Sequence, residues 1–222
     1  MASFTLASLS LKDLKHLVHL QEGKVADYEW NRVDSIELDE RELQQIEEVR
    51  SHLINHDTTL MNEATIWARA IYPLLLLAER DQIEAWAEVA LRAKYPTFEL
   101  EDLADGVLGK SVAGRLEAPY LIVVEAKKGV EAQNPVYQLY GQLLAAAHLN
   151  WEQNGRIPQE IFGCYTIGDT WKFLRAEIDA IETDQPTMRV EYSREYVEKL
   201  EAAIIFKVLK GIVDRFVALD QS

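Results

Sequence analysis

The chain has 222 residues, 48% hydrophobic and 27% charged, with a net charge of −14. That length suits one large domain with a real core. The acidic balance argues against high-affinity, nonspecific nucleic-acid binding, which needs Lys and Arg to neutralise phosphates, though a local basic groove stays compatible with it.

Cys164 is the one cysteine, so no internal disulfide framework exists, and a reducing compartment fits. The longest apolar run, "YPLLLLA" at 72–78, is too short to span a membrane. Lys12, Asp13, Lys15 and His16 stand where a signal peptide would need an apolar core, so a cytoplasmic protein is expected.

"SLKDLKHLVHLQEG" reads as a first helix, with Ser10 as N-cap, Asp13 at the third position, Leu9 stapled to Leu14, and Gly23 marking the end. Residues 24–37 are ambiguous between extended and irregular chain. "LDERELQQIEEVRSHLINH" repeats the helix grammar, with Asp39 as cap and Glu42 closing the capping box. Residues 1–37 read as an N-terminal helical appendage, and 38–222 as the main domain.

Next comes a strongly apolar helix that Pro73 kinks or divides, then a further amphipathic stretch before the period changes. "FELEDLADGVLG" and "YLIVVEAK" read as strands. "NPVYQLYGQLLAAAHLNWEQNG" reads as a helix, with Asn134 as cap, Pro135 in the first turn and Gly155 past the end. A β-hairpin is expected around Gly168–Asp169, then a short strand "TMRVEY" and a closing helix capped by Ser193. The order implies an α/β fold, a mixed sheet wrapped by helices.

Within "YLIVVEAKKG", alternation puts Glu125 and Lys127 on one strand face, with Leu121 and Val123 behind them and Ala126 opposite. Asp105 sits upstream in "LADGVLG", where Gly106 leaves room beside the carboxylate. If those strands pair, Asp105 and Glu125 converge. Two carboxylates about 4 Å apart repel by roughly 4 kcal/mol at a surface-like dielectric. Either one takes a proton or a hard divalent cation such as Mg²⁺ or Mn²⁺ sits between them. Glu63 shares a helix face with Trp67, Ala70 and Leu74, where a charge is costly unless paired. Taken singly these residues are ordinary: Lys127 and Lys128 read as a solvated strand exit, and Asp105–Gly106 as a turn.

Taken in order, Glu63, Asp105 and Glu125-Ala126-Lys127 resemble the PD-(D/E)XK nuclease superfamily, the restriction endonuclease-like fold. The "NEATIWARAIYPLL" and "VVEAKK" segments look like the amino-terminal nuclease domain of type I restriction motor subunits and small stand-alone relatives. The resemblance covers roughly residues 57–175. It implies a restriction endonuclease-like mixed sheet and metal-dependent hydrolysis of DNA. Asp105, Glu125 and the carbonyl of Ala126 would hold Mg²⁺ or Mn²⁺, Lys127 would position the attacking water, and Glu63 would complete the acidic cluster. A Gln on the following helix would steady the site, and Gln138 occupies that place, with Gln142 one turn on. DNA is the expected partner and a membrane is not; a homo-oligomer is compatible with the sequence. The alternative is a catalytically silent module that keeps the fold and binds a protein or nucleic-acid partner.

Competing signals are weaker. "ADGVLGKS" at 104–111 matches a relaxed phosphate-loop pattern but lacks room for the helix that must follow. His52 and His56 stand four apart without a third ligand, and neither His148 nor Cys164 has an evident catalytic partner.

Overall fold

The computed structural model describes residues 2–128 and 135–220. Among the described residues, eight strands form one mixed sheet: β1 (Ala2–Thr5), β2 (His19–Val25), β3 (Ile83–Lys94), β4 (Phe98–Val112), β5 (Arg115–Lys127), β6 (Gln159–Ile167), β7 (Thr170–Asp179) and β8 (Thr187–Val197). The order is β1-β4-β5-β6-β7-β8-β2, with β3 also against β4. The helices are α1 (Leu11–Leu17), α2 (Glu40–Ile54), α3 (Glu63–Ile66), α4 (Tyr72–Leu77), α5 (Val136–Asn154) and α6 (Glu198–Asp220).

The sheet divides the core in two. Against one face pack α2, α3, α4 and α6, joined to Ile122, Val124, Ala126 and Cys164. Against the other lie α1 and α5, joined to Val123, Leu174 and Ala176. Strands β5 and β6 are parallel, so α5 serves as their crossover. Residues 139–147 of α5 are buried almost all round, as a helix between a sheet and a second covering layer must be. Gly155 ends it in the left-handed region, φ 63°. Asn134, expected as its cap, lies outside the described residues.

Several expectations change where tertiary pairing overrides local pattern. The capping box of Ser10 and Asp13 forms, but α1 stops at Leu17 and the chain continues as β2, parallel to β8. Residues 1–37 therefore supply strands to the sheet, β1 beside β4 and β2 beside β8, rather than only a helix. The Asp39–Glu42 capping box of α2 is present as expected.

Pro73 does not break the apolar helix, which runs on through helical backbone from Glu63 to Leu77. It sits in the first turn of α4, and a π-helical turn over Trp67–Ile71 precedes it, closed by the Tyr72 amide donating to the Trp67 carbonyl. The amphipathic stretch after it is β3, paired along most of its length with β4. The hairpin around Gly168 forms, with φ 60° at that glycine. Strand β8 runs past Ser193, which is buried in the strand and accepts the Phe173 amide at 3.0 Å; it does not cap α6. The phosphate-loop pattern at 104–111 lies wholly inside β4, with neither loop nor helix to cradle phosphate. Among the described residues no helix is long and apolar enough to cross a membrane.

Candidate active site

Strand β4 has two edges. One is taken by β3 over most of its length. The other is shared, with β1 beside Phe98–Glu101 and β5 beside Gly106–Val112. Asp102 to Asp105 fall in the gap, where the carboxyl end of β5 arrives. Gly106 pairs with Val124, so Asp105 and Glu125 are the next cross-strand neighbours and share a face. The link is direct: the Ala126 amide donates to Oδ2 of Asp105 at 2.6 Å.

Val123 belongs to the α5 side of the core while Val124 and Ala126 belong to the other, which places Glu125 and Lys127 on the α5 face. Leu121 does not follow that alternation. The β4–β5 ladder slips between Leu108 and Gly109, and Leu121 packs on the opposite side. Gly106 has a different task from the one expected. A Cβ there would collide with the Trp67 ring, so the glycine makes room for the tryptophan and not for the carboxylate.

Glu125 is fully buried. Oε1 is paired with the Lys127 ammonium, and Oε2 accepts from the side-chain amide of Gln142 at 2.6 Å. Burial, reinforced by the Asp105 charge, pushes the Glu125 carboxyl up to about 7 against the opposing pull of Lys127 and Gln142. Burial also raises Asp105, helped by Glu63 and Asp102, while the Ala126 amide and Lys127 work the other way. For Lys127, burial pulls downward, but Glu125, Asp105 and Glu63 outweigh it and the ammonium is raised. Lys127 therefore stays charged at neutral pH. It can orient a water or steady developing negative charge, but it is a poor base.

Glu63 opens α3, whose cap is Asn62, the side chain of which accepts the Thr65 amide at 2.8 Å. It is half-buried, and its charge acts on both Asp105 and Lys127. Gln138 points elsewhere: its amide reaches Oδ2 of Asp102 at 3.4 Å, and that same oxygen accepts the Ala7 amide at 2.9 Å. Sequence reasoning placed Gln138 at the site. The structure sets Gln142, one turn further along α5, against Glu125, and the one legible signal was the spacing of two glutamines on one helical face.

Among the described residues, no group of three or more His, Cys, Asp and Glu side chains is gathered as a metal site. Asp105 and Glu125 supply two. Their donors are all oxygen, both carboxyls are raised chiefly by burial, Glu125 further by the Asp105 charge, and the backbone between them is fixed by the Ala126 amide. That set fits a hard divalent cation, which would favour the ionised form of both groups.

The other signals dissolve. His52 and His56 are exposed. His148 is buried against Tyr95 and Trp151, and burial lowers its pKa. Cys164 is buried and its thiol is raised well above the usual value, so it is no nucleophile. No family model and no curated protein matches this chain.

Proposed function

We propose that the chain is a divalent-metal-dependent phosphodiesterase, a DNA nuclease of the PD-(D/E)XK type on a restriction endonuclease-like sheet. Residues 38–222 make up the nuclease unit, and β1 and β2 are added to its sheet from residues 1–37. The observation that carries the reading is the pairing of half-buried Asp105 with fully buried Glu125, and of Lys127 with Glu125. A fully buried acid with a second acid and a charged lysine beside it on a strand end is costly for stability alone.

Asp105, Glu125 and the Ala126 carbonyl would hold Mg²⁺ or Mn²⁺, with Glu63 adding negative charge beside them. Bound there, the cation supplies Lewis-acid polarisation of the phosphoryl group. In the hydrolysis, a water oxygen bonds to phosphorus as the bond to the leaving oxygen breaks; one water proton is lost to solvent and the leaving oxygen gains one. Lys127 donates hydrogen bonds to the incoming water or to a non-bridging phosphate oxygen. Gln142 fixes the Glu125 carboxylate so that neither group must reorganise as charge builds.

The net charge of −14 favours the second reading, a silent module with a protein partner. One assay separates them: incubation of DNA with Mg²⁺ or Mn²⁺, comparing the wild-type chain with Glu125→Gln. Cleavage that disappears in the variant supports the nuclease; none from either supports the silent module.

A further inference from the structure

A cleft of about 250 Å³ opens beside Lys127. Its walls are Ala7, Leu9 and Ser10 from the segment that follows β1, and Tyr137 and Gln138 from the first turn of α5. These walls are fixed. Leu6 is fully buried, and Leu6 and Leu9 sit so close over Gly141 that a Cβ there would lie 2.6 Å from Leu9 Cδ1. The Ala7 amide is held by Asp102, and Ser10 caps α1. Tyr137 is half-buried and stands edge-on to the fully buried Tyr140, with ring centroids 6.3 Å apart. Part of its ring remains open to the cleft.

The chemistry of the cleft is selective. Among the described residues lining it, Lys127 is the sole cation, and it is already paired with Glu125. A duplex gains affinity from many phosphate contacts along a basic track, and a chain with net charge −14 is poorly suited to provide one. An aromatic ring next to a single cation suits instead one base and its phosphate, because stacking works with any base and needs no run of charge. A base can lie on that ring only when it has left its helical stack, a cost that an unpaired strand does not bear.

We propose that this cleft receives one nucleotide of an unpaired strand beside the scissile phosphate, its base stacked on Tyr137, so that the substrate is single-stranded or frayed DNA and not continuous duplex. The proposal rests on the nuclease reading for the position of the phosphate. Tyr137 is then a specificity-determining residue.

The test is fluorescence anisotropy of the full chain with a short labelled oligodeoxythymidylate and with a blunt duplex, alongside Mn²⁺-supported cleavage of both. Single strand should bind more tightly than duplex. Tyr137→Ala should weaken single-strand binding roughly 5- to 150-fold, the worth of one base–aromatic stack. Tyr137→Trp should retain it, which guards against mere misfolding of the Ala variant. Single-strand binding that depends on Tyr137 without Glu125-dependent cleavage would keep this subsite and remove the hydrolytic reading. Glu125-dependent cleavage of both substrates, indifferent to Tyr137, would keep the nuclease and overturn the subsite. Binding to neither substrate would also overturn it.

Discussion

The side-chain amide of Gln142 donates to Oε2 of Glu125 across 2.6 Å, both residues fully buried. Gln142→Ala leaves that oxygen without its donor and should cost about 1–3 kcal/mol of stability, as for any buried acceptor stripped of its partner. Gln138, half-buried and 3.4 Å from Asp102, should tolerate the same change within about 0.5 kcal/mol. Urea denaturation of the two variants compares them directly. Equal costs would mean that the Gln142–Glu125 contact is not specific.

Lys127 and Lys128 leave β5 with different surroundings. Lys127 is half-buried against Glu125, whereas Lys128 is exposed. Lys127→Met should lower turnover on the order of 100-fold or more, the usual loss when a transition-state contact is removed. Lys128→Met should stay within a few-fold. Steady-state rates on labelled DNA read both, and equal mild effects would take Lys127 out of the chemistry.

Much of this site is legible in the sequence because its parts depend on period and order. The alternation of β5 puts Glu125 beside Lys127, and the β4–β5 ladder, a pairing of sequential neighbours, brings Asp105 opposite. What sequence reading missed depends on long-range partners. Nothing local tells His19–Val25 to leave a helix; that follows from pairing with β8, more than 160 residues away. Gly106 looks like a turn signal and is instead the floor under Trp67. Gln138 and Gln142 share a helical face, and only the depth of α5 against the sheet decides which one reaches Glu125.

The same packing yields a prediction for Gly106. Its missing Cβ is what admits the Trp67 ring between α3 and the sheet. Gly106→Ala should cost about 1–3 kcal/mol by overpacking. Adding Trp67→Leu should recover part of that loss, so the two changes should be less than additive in denaturation. Strict additivity would place the ring elsewhere.

A second fully buried acid governs the response to pH. Glu198 accepts the Trp171 indole N–H at 2.7 Å, and burial, with a contribution from Asp169, pushes its carboxyl up to about 8. Glu125 is raised in the same sense, to about 7. With folded-state values above the ordinary 4.5, the native chain keeps protons that the unfolded chain releases. Their contribution to stability is complete below about pH 4.5, falls as pH rises, and is gone above about pH 8. Glu198→Gln keeps the shape without the titration. Thermal melts in chelator should show wild type losing more stability than the variant between pH 5 and pH 8, the window set by these groups. Parallel curves would mean that Glu198 does not titrate there.

The central claim is that Asp105 and Glu125 form one oxygen-donor site for a divalent cation. Isothermal titration calorimetry with Mn²⁺ tests it most directly, using wild type, Asp105→Asn and Glu125→Gln, with thermal melts in chelator as a folding control. The expected result is binding by wild type, its loss in both variants, and melting temperatures without metal that are unchanged or higher, since each variant removes one of two coupled charges. Mn²⁺ binding of equal strength in all three proteins, or none in wild type, would contradict the account.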